Sequence, residues 1–90
     1  MSEARLRRKT DVLWRRSLDA VLVLPPSTAE PLTLAGTGPE VWELLAEEPS
    51  MSDLARELAT RYDADAAIVE ADLAPVVDRL VAIQAIERVP

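Results

Sequence analysis

The sequence predicts an α+β domain in which a three-stranded antiparallel sheet precedes three helices. Two observations carry this prediction. Short apolar runs with β-favouring residues fill the first third of the chain, bounded by prolines and turn-forming residues. In the remainder, apolar residues recur every three or four positions, which is the period of an amphipathic helix. The 90 residues are enough for one domain with a modest core.

Three short segments predict the strands. Residues 11–16 contain Val and Trp with partial alternation, and residues 20–24 form an apolar run before two prolines. Residues 17–19 favour a turn between them because Ser and Asp can bond nearby backbone. Residues 25–31 contain three prolines and predict a loop. Leu32–Leu34 alternates after a proline, which suits the edge strand of a meander.

Capping signals predict where the first two helices begin. Thr37 with Glu40 three residues later fits a capping box, and the proline between them costs no helical hydrogen bond in a first turn. A Glu-Pro pair ends this helix. Ser50 or Ser52 caps the second helix, which continues to about Tyr62.

The third helix, predicted over residues 65–84, has an apolar stripe wider than one core contact requires. We expect one flank to pack on the domain and the other to line a groove beside residues 32–35. Pro75 should kink this helix or mark a two-part start, since it removes the bond to the Ala71 carbonyl. A short strand is expected at residues 86–89. The stripe consists of Val69, Leu73, Val76, Leu80 and Ile83, widened by Ile68, Val77 and Val81.

Composition excludes several classes of function. The chain contains no cysteine and no histidine, so it lacks thiolate chemistry, the usual general base and the commonest metal ligand. No base–nucleophile pair stands out among the remaining residues. We therefore expect no enzyme, no metal and no cofactor. No apolar run is long enough to span a bilayer, and no signal-peptide core follows the basic start. These features predict a cytoplasmic protein without a membrane partner.

Charge is distributed unevenly along the chain. Residues 1–16 carry six basic and two acidic side chains, net +4, whereas the rest carries four basic and fourteen acidic ones, net −10. An acidic body argues against nucleic acid as a partner, because a phosphate backbone needs a basic face. We expect residues 1–10 to form a flexible basic arm and residues 11–89 to form the single folded domain.

Two alternative functions stay open on these observations. The second and third helices, joined by a tight acidic turn, are typical of a helix-turn-helix, which raises a winged-helix DNA-binding regulator. Against it, Glu70, Asp72 and Asp78 on the third helix would repel phosphate. A small acidic carrier protein is the other alternative, although the Asp-Ser-Leu attachment motif is absent and strands are expected in the first third.

The order of the core residues after the strands resembles that of the PqqD family, which are RiPP precursor recognition elements. The resemblance rests on Leu34-x-x-Thr37-Gly38-x-x-Val41-Trp42-x-Leu44-Leu45, then Leu54-Ala55-x-x-Leu58-x-x-x-Tyr62, then Asp72-Leu73-x-x-Val76-Val77-x-x-Leu80. It covers residues 11–89. The GTG-x-x-VWELL segment and the stand-alone length are most similar to the leader-binding proteins of lasso-peptide biosynthesis. The chain departs from the pattern with Ala-Gly after Leu34 instead of Leu-Asn, and Glu-Pro instead of Asp-Gly before the second helix.

The resemblance implies a winged helix-turn-helix-like fold and a non-catalytic function. A disordered leader peptide would add as a strand to the third strand, beside the third helix, and so be delivered to the leader peptidase and the cyclase of the same pathway. Lasso-type leaders resemble one another in a Tyr-x-x-Pro motif, whose ring and proline would suit an apolar groove.

Eight residues are candidates for peptide contact by position. They are Leu32, Thr33 and Leu34 for strand pairing, Val69, Leu73 and Val76 for the groove wall, and Asp72 and Arg79 for rim charges. Each also has an ordinary structural explanation: core packing for Leu73, a solvated helix face for Asp72 and Arg79. The aromatic residues Trp14, Trp42 and Tyr62 are expected to anchor the core.

Overall fold

The computed structural model describes residues 3–26 and 30–90 and confirms the α+β fold. The strands are β1 (Arg5–Arg8), β2 (Leu13–Arg16), β3 (Val21–Leu24), β4 (Leu32–Leu34) and β5 (Ile86–Val89). The helices are α1 (Gly38–Leu44), α2 (Met51–Tyr62) and α3 (Ala66–Ala82), and a 3-10 turn (Leu45–Glu47) follows α1. The predicted loop 25–31 lies partly outside the described residues.

Strands β2, β3 and β4 form the expected antiparallel meander, with β3 in the centre. Val21 and Val23 of β3 point into the core and are fully buried. Their register partners on β4, Leu34 and Leu32, point to the same side, and Thr33 points to the other. The strand order places β2 and β4 at the two edges of the meander. Of these edges, β4 lies close to α3, and the two elements line a common groove.

The prediction of a flexible arm at residues 1–10 is wrong for Arg5–Arg8, which form β1. This strand pairs antiparallel with β5. Its one apolar residue, Leu6, is buried at 2% exposure, while its backbone N–H donates to the Pro49 carbonyl at 2.8 Å. Arg7 extends outward and pairs with Glu87 at 3.0 Å. Pairing with β5 and burial of Leu6 therefore make these residues part of the folded domain. Residues 1–2 of the predicted arm lie outside the described residues.

Side-chain caps begin α2 and α3 but not α1. Ser50 has an extended backbone, and its hydroxyl accepts a hydrogen bond from the Asp53 N–H at 3.1 Å. The predicted capping box at Thr37 is wrong, because the Thr37 side chain makes no cap bond. Its backbone is helical (φ −83°, ψ −7°), and a cap side chain reaches the first turn from an extended backbone. Glu40, its predicted partner, bonds to α2 instead.

Replacing Ser50 with Ala should lower the free energy of unfolding by about 1 kcal/mol, because an N–H of the first turn of α2 loses its partner. The matched control is Thr37→Ala, which occupies the same helix position without a cap bond and should cost clearly less. Urea denaturation followed by circular dichroism compares the two. Equal losses would contradict the assignment of Ser50 as the working cap.

Helix α3 continues as one helix through Pro75, so the proline does not divide it. Pro75 and Ala71 are both exposed, so the Ala71 carbonyl, which loses its helical partner at Pro75, belongs to the solvent-facing side of the helix. The buried side of α3 consists of Leu73, Val77 and Leu80. Within residues 3–26 and 30–90, no helix has the length and apolarity needed to cross a membrane.

Of the three aromatic residues expected in the core, only Trp42 is fully buried. Trp14 lies on the edge strand β2 and is 47% exposed, with its ring edge against Trp42 at a centroid distance of 6.0 Å. The Arg8 guanidinium lies 5.1 Å from the Trp14 ring centroid and 5.2 Å from that of Trp42. Tyr62, at the end of α2, is 50% exposed. An edge strand and a helix terminus thus leave two of the rings in contact with solvent.

Candidate functional site

A mostly apolar groove of about 440 Å³ lies between β4 and α3. All eight residues that the sequence singled out line it. The strand side also includes Ala35. Residues of α1 and α2 and the cap before α1 complete the lining, namely Thr37, Gly38, Val41, Leu58 and Tyr62. The structure thus places the eight predicted residues around one groove. Six further residues that were not predicted also line it.

The alternation of hydrogen bonds shows which residue of β4 has free backbone groups. Ser17 N–H donates to the Ala20 carbonyl at 3.0 Å and closes the β2–β3 hairpin. Along an antiparallel strand, the N–H and C=O of one residue point to one neighbour, and those of the next residue point to the other side. Ala20 therefore points its backbone groups toward β2, Val21 points them away from β2, and Leu22 points them toward β2 again.

The two valines that flank Leu22 therefore point their backbone groups toward β4, where they pair with Leu32 and Leu34. Thr33 lies between these two leucines and points its N–H and C=O away from the sheet. No other described strand pairs with that edge. Thr33 therefore presents a donor and an acceptor side by side, at the rim of an apolar groove.

On the helix side, the groove residues differ in how far they are buried. Leu73 is only 6% exposed and belongs to the core cluster, so it forms the floor. Val69 and Val76 are half-buried, pack against the core and leave part of their surface toward the groove. These two valines are the wall positions where an occupant can bury further apolar surface.

Two exposed charges mark the rim of α3. Asp72 and Arg79 have no ion pair with any residue that the structure describes, whereas five of the nine arginines do. They are seven residues apart, which is roughly 10 Å along a helix axis. The rim therefore offers one negative and one positive group at separate points along the groove.

Gly38 allows α1 to start directly beside β4. A Cβ atom at this position would lie 2.8 Å from the Cβ of Leu34, closer than side-chain atoms pack. Glycine thus permits the first turn of α1 and the last residue of β4 to meet at the groove. The glycine pair around Thr37 was visible in the sequence, but its role depends on a contact that spacing alone does not reveal.

Tyr62 closes the groove at the end of α2, although the sequence analysis placed it in the core. Its hydroxyl donates to Glu40 of α1, and Arg61 Nη1 donates to the other Glu40 oxygen at 3.2 Å. Arg61 Nε also contacts Glu57 Oε1 at 3.3 Å. The hydrogen bond from Tyr62, followed by that from Arg61, holds the pKa of Glu40 below its usual value, and the same bond raises the pKa of Tyr62.

The polar side chains that line the groove belong to Thr33, Thr37, Tyr62, Asp72 and Arg79. In the part of the chain that the structure describes, no group of three or more His, Cys, Asp or Glu side chains could hold a metal ion. The groove combines a free strand edge, apolar walls and two separate rim charges.

The family model described as coenzyme PQQ synthesis protein D (PqqD) matches residues 20–86. No curated protein and no solved structure matches the chain. The match covers well over half of the 90 residues and includes β3, β4, all three helices and every residue that lines the groove. Strands β1 and β2 lie before it.

Proposed function

Because the chain belongs to the PqqD family, we propose that it is a non-catalytic cytoplasmic protein that binds the leader segment of a ribosomal precursor peptide. The leader adds as a strand to β4 beside α3 and is delivered to the leader peptidase and other maturation enzymes of lasso-peptide biosynthesis. The observation that carries this proposal is the free backbone edge at Thr33, next to a groove lined by apolar side chains.

Strand addition explains why the edge and the groove occur together. Backbone bonds between Thr33 and an extended peptide supply affinity with little sequence preference. Peptide side chains alternate, so every second one faces the groove and is selected there. The free edge of β4 thus provides binding, and the walls of the groove provide discrimination.

The half-buried valines Val69 and Val76 are the positions where a peptide side chain can bury most additional apolar surface, so they should contribute most to selecting between peptides. An apolar peptide side chain fully buried between them and Leu34 contributes about 1.5–3 kcal/mol of transfer free energy. Part of that is offset because a disordered leader must be ordered on binding. A leader with a ring and a proline at the groove, as in a Tyr-x-x-Pro motif, meets this requirement with little side-chain entropy to lose.

The rim charges favour a leader that is polar at two separate places. Arg79 favours a carboxylate and Asp72 favours a basic group, and neither has a partner to give up among the described residues. In an extended peptide, roughly 10 Å corresponds to about three residues. These contacts are exposed, so they tune which leader binds more than they add affinity.

The two alternative functions have less support. A DNA-binding helix-turn-helix would place α3 against phosphates, but Glu70, Asp72 and Asp78 on this helix are all exposed. A carrier protein needs an attachment serine, but Ser50 caps α2 and the Ser52 hydroxyl donates to Glu3.

An NMR titration of the isotope-labelled chain with the leader peptide of the precursor encoded beside its gene tests the proposal. We expect saturable shifts confined to Leu32–Leu34 and to the groove side of α3 between residues 69 and 79. A scrambled peptide of the same composition is the control and should shift these signals weakly. A random DNA duplex should cause no saturable shifts. An intact fold with no response to the leader would overturn leader binding.

A further inference from the structure

The chain's one tyrosine, Tyr62, is held at the end of the groove. Its ring lines the groove and is half exposed, while its hydroxyl is bound to Glu40 of the neighbouring helix α1. An exposed tyrosine at a helix end normally has a free choice of rotamer. Here the hydroxyl bond ties one end of the ring to α1 while its face remains available to an occupant.

The backbone beneath this ring is also fixed. Asp63 follows Tyr62 in the left-handed conformation (φ 50°), and its N–H bonds to the Ala59 carbonyl. The Ala64 N–H donates to the same carbonyl at 2.9 Å. These bonds close the last turn of α2 directly before α3. Hydrogen bonds therefore hold both the backbone next to Tyr62 and the Tyr62 hydroxyl.

The ion pairs that Arg61 forms with Glu40 and Glu57 contribute little to the stability of the fold. Arg61 bridges Glu40 on α1 and Glu57 on α2, and all three side chains are substantially exposed to solvent. Exposed ion pairs of this kind contribute little to the free energy of unfolding. Their distinguishing property is their position, since they surround the acceptor that holds the Tyr62 hydroxyl at the groove.

Resting on the proposed function, we infer that the Tyr62 ring is the end wall of the groove, contacting a large apolar side chain of the bound peptide, and that Glu40 positions the ring. A ring already held in one orientation loses little conformational freedom when a ligand packs on it. Aromatic rings also bury much apolar area while keeping a polar tip bonded, as this one does. Tyr62 is thus a contact residue, and Glu40 acts through it.

The test is isothermal titration calorimetry of the full chain with the synthetic leader peptide described above. Tyr62→Ala should weaken binding by about tenfold, because the wall is removed. Tyr62→Phe keeps the ring but frees it, and should weaken binding by about two- to threefold. Arg56→Ala, which removes an exposed α2 arginine that pairs with Asp53 away from the groove, is the matched control and should leave the affinity unchanged.

A double-mutant cycle separates positioning from any independent effect of Glu40. Glu40→Ala removes the oxygen that accepts the Tyr62 hydrogen bond, so it should weaken binding as Tyr62→Phe does and should add nothing in the Tyr62→Phe background. A separate readout is the phenolate absorbance of the single tyrosine. The pH at which it ionises should fall in Glu40→Ala, because the carboxylate that accepts its hydrogen bond opposes ionisation of the phenol.

The outcomes distinguish this inference from the proposed function. If the wild-type chain does not bind the leader, both are overturned. If the wild-type chain binds and Tyr62→Ala binds equally well, only the Tyr62 wall is overturned and leader recognition stands. Circular dichroism confirms that each variant is folded. Should Tyr62→Ala be unstable, Tyr62→Phe and Glu40→Ala decide the question, and unchanged affinity in both would refute positioning of the ring by Glu40.

Discussion

Thr33→Pro should weaken leader binding by about tenfold or more while leaving the domain folded. Proline removes the one N–H of β4 that points away from the sheet, and its ring projects toward the edge where a peptide strand would pair. The bonds from Leu32 and Leu34 to β3 do not involve this N–H. Edge strands tolerate proline when the lost N–H faces outward, so the meander should persist.

Two variants bracket this result. Thr33→Val keeps the backbone N–H and the β propensity, and should bind the leader nearly as well as the wild type. Leu34→Pro removes an N–H that bonds to β3 and also a buried side chain, and should unfold the domain. Fluorescence anisotropy with a labelled leader measures affinity, and circular dichroism measures folding. Folded Thr33→Pro with wild-type affinity would show that the leader does not pair with β4.

Val76→Glu should reduce leader affinity by about a hundredfold, because it places a carboxylate where the occupant would bury apolar surface. Val76 is half-buried on the groove side of α3, so in the free protein the longer side chain can turn its charge toward water. Once a peptide covers the groove, that carboxylate must lose its water. The loss should therefore appear in binding far more than in folding.

The matched control is Ala74→Glu, which adds the same charge to the exposed side of the same helix. It should leave leader affinity within about twofold of wild type, since solvent and salt screen an exposed charge that lies outside the groove. The melting temperatures of both variants should stay close to each other. If Val76→Glu unfolds the domain, Val76 is a core residue, and the groove wall lies on the other flank of α3.

The sequence predicts β4 and α3 because each shows its periodicity within its own residues. The alternation of Leu32–Leu34 and the three- to four-residue spacing from Val69 to Val76 both follow from local geometry. The groove arises where these two segments meet, so its walls could be inferred from their patterns. Which backbone group faces outward depends on a hairpin bond at Ser17, far from β4 in sequence, and needed the structure.

Strand β1 was missed because its apolar content is a single residue. Leu6 lies between arginines, and the strand partner is β5 at the other end of the chain. No local pattern reports such a distant pairing. The capping box at Thr37 failed for the opposite reason, since the motif is present but the backbone of Thr37 is helical. Glu40 was then free to bond Tyr62, a partner on another helix that spacing alone does not indicate.

The two edges of the meander differ in how readily each can accept a further strand. Edge β2 presents the consecutive arginines Arg15 and Arg16, whereas edge β4 carries no charge. Charged residues on an edge discourage a further strand. Stoichiometry should therefore be one leader per chain. Two copies that paired through the edges of this meander would also have to use β4, so self-association would compete with leader binding.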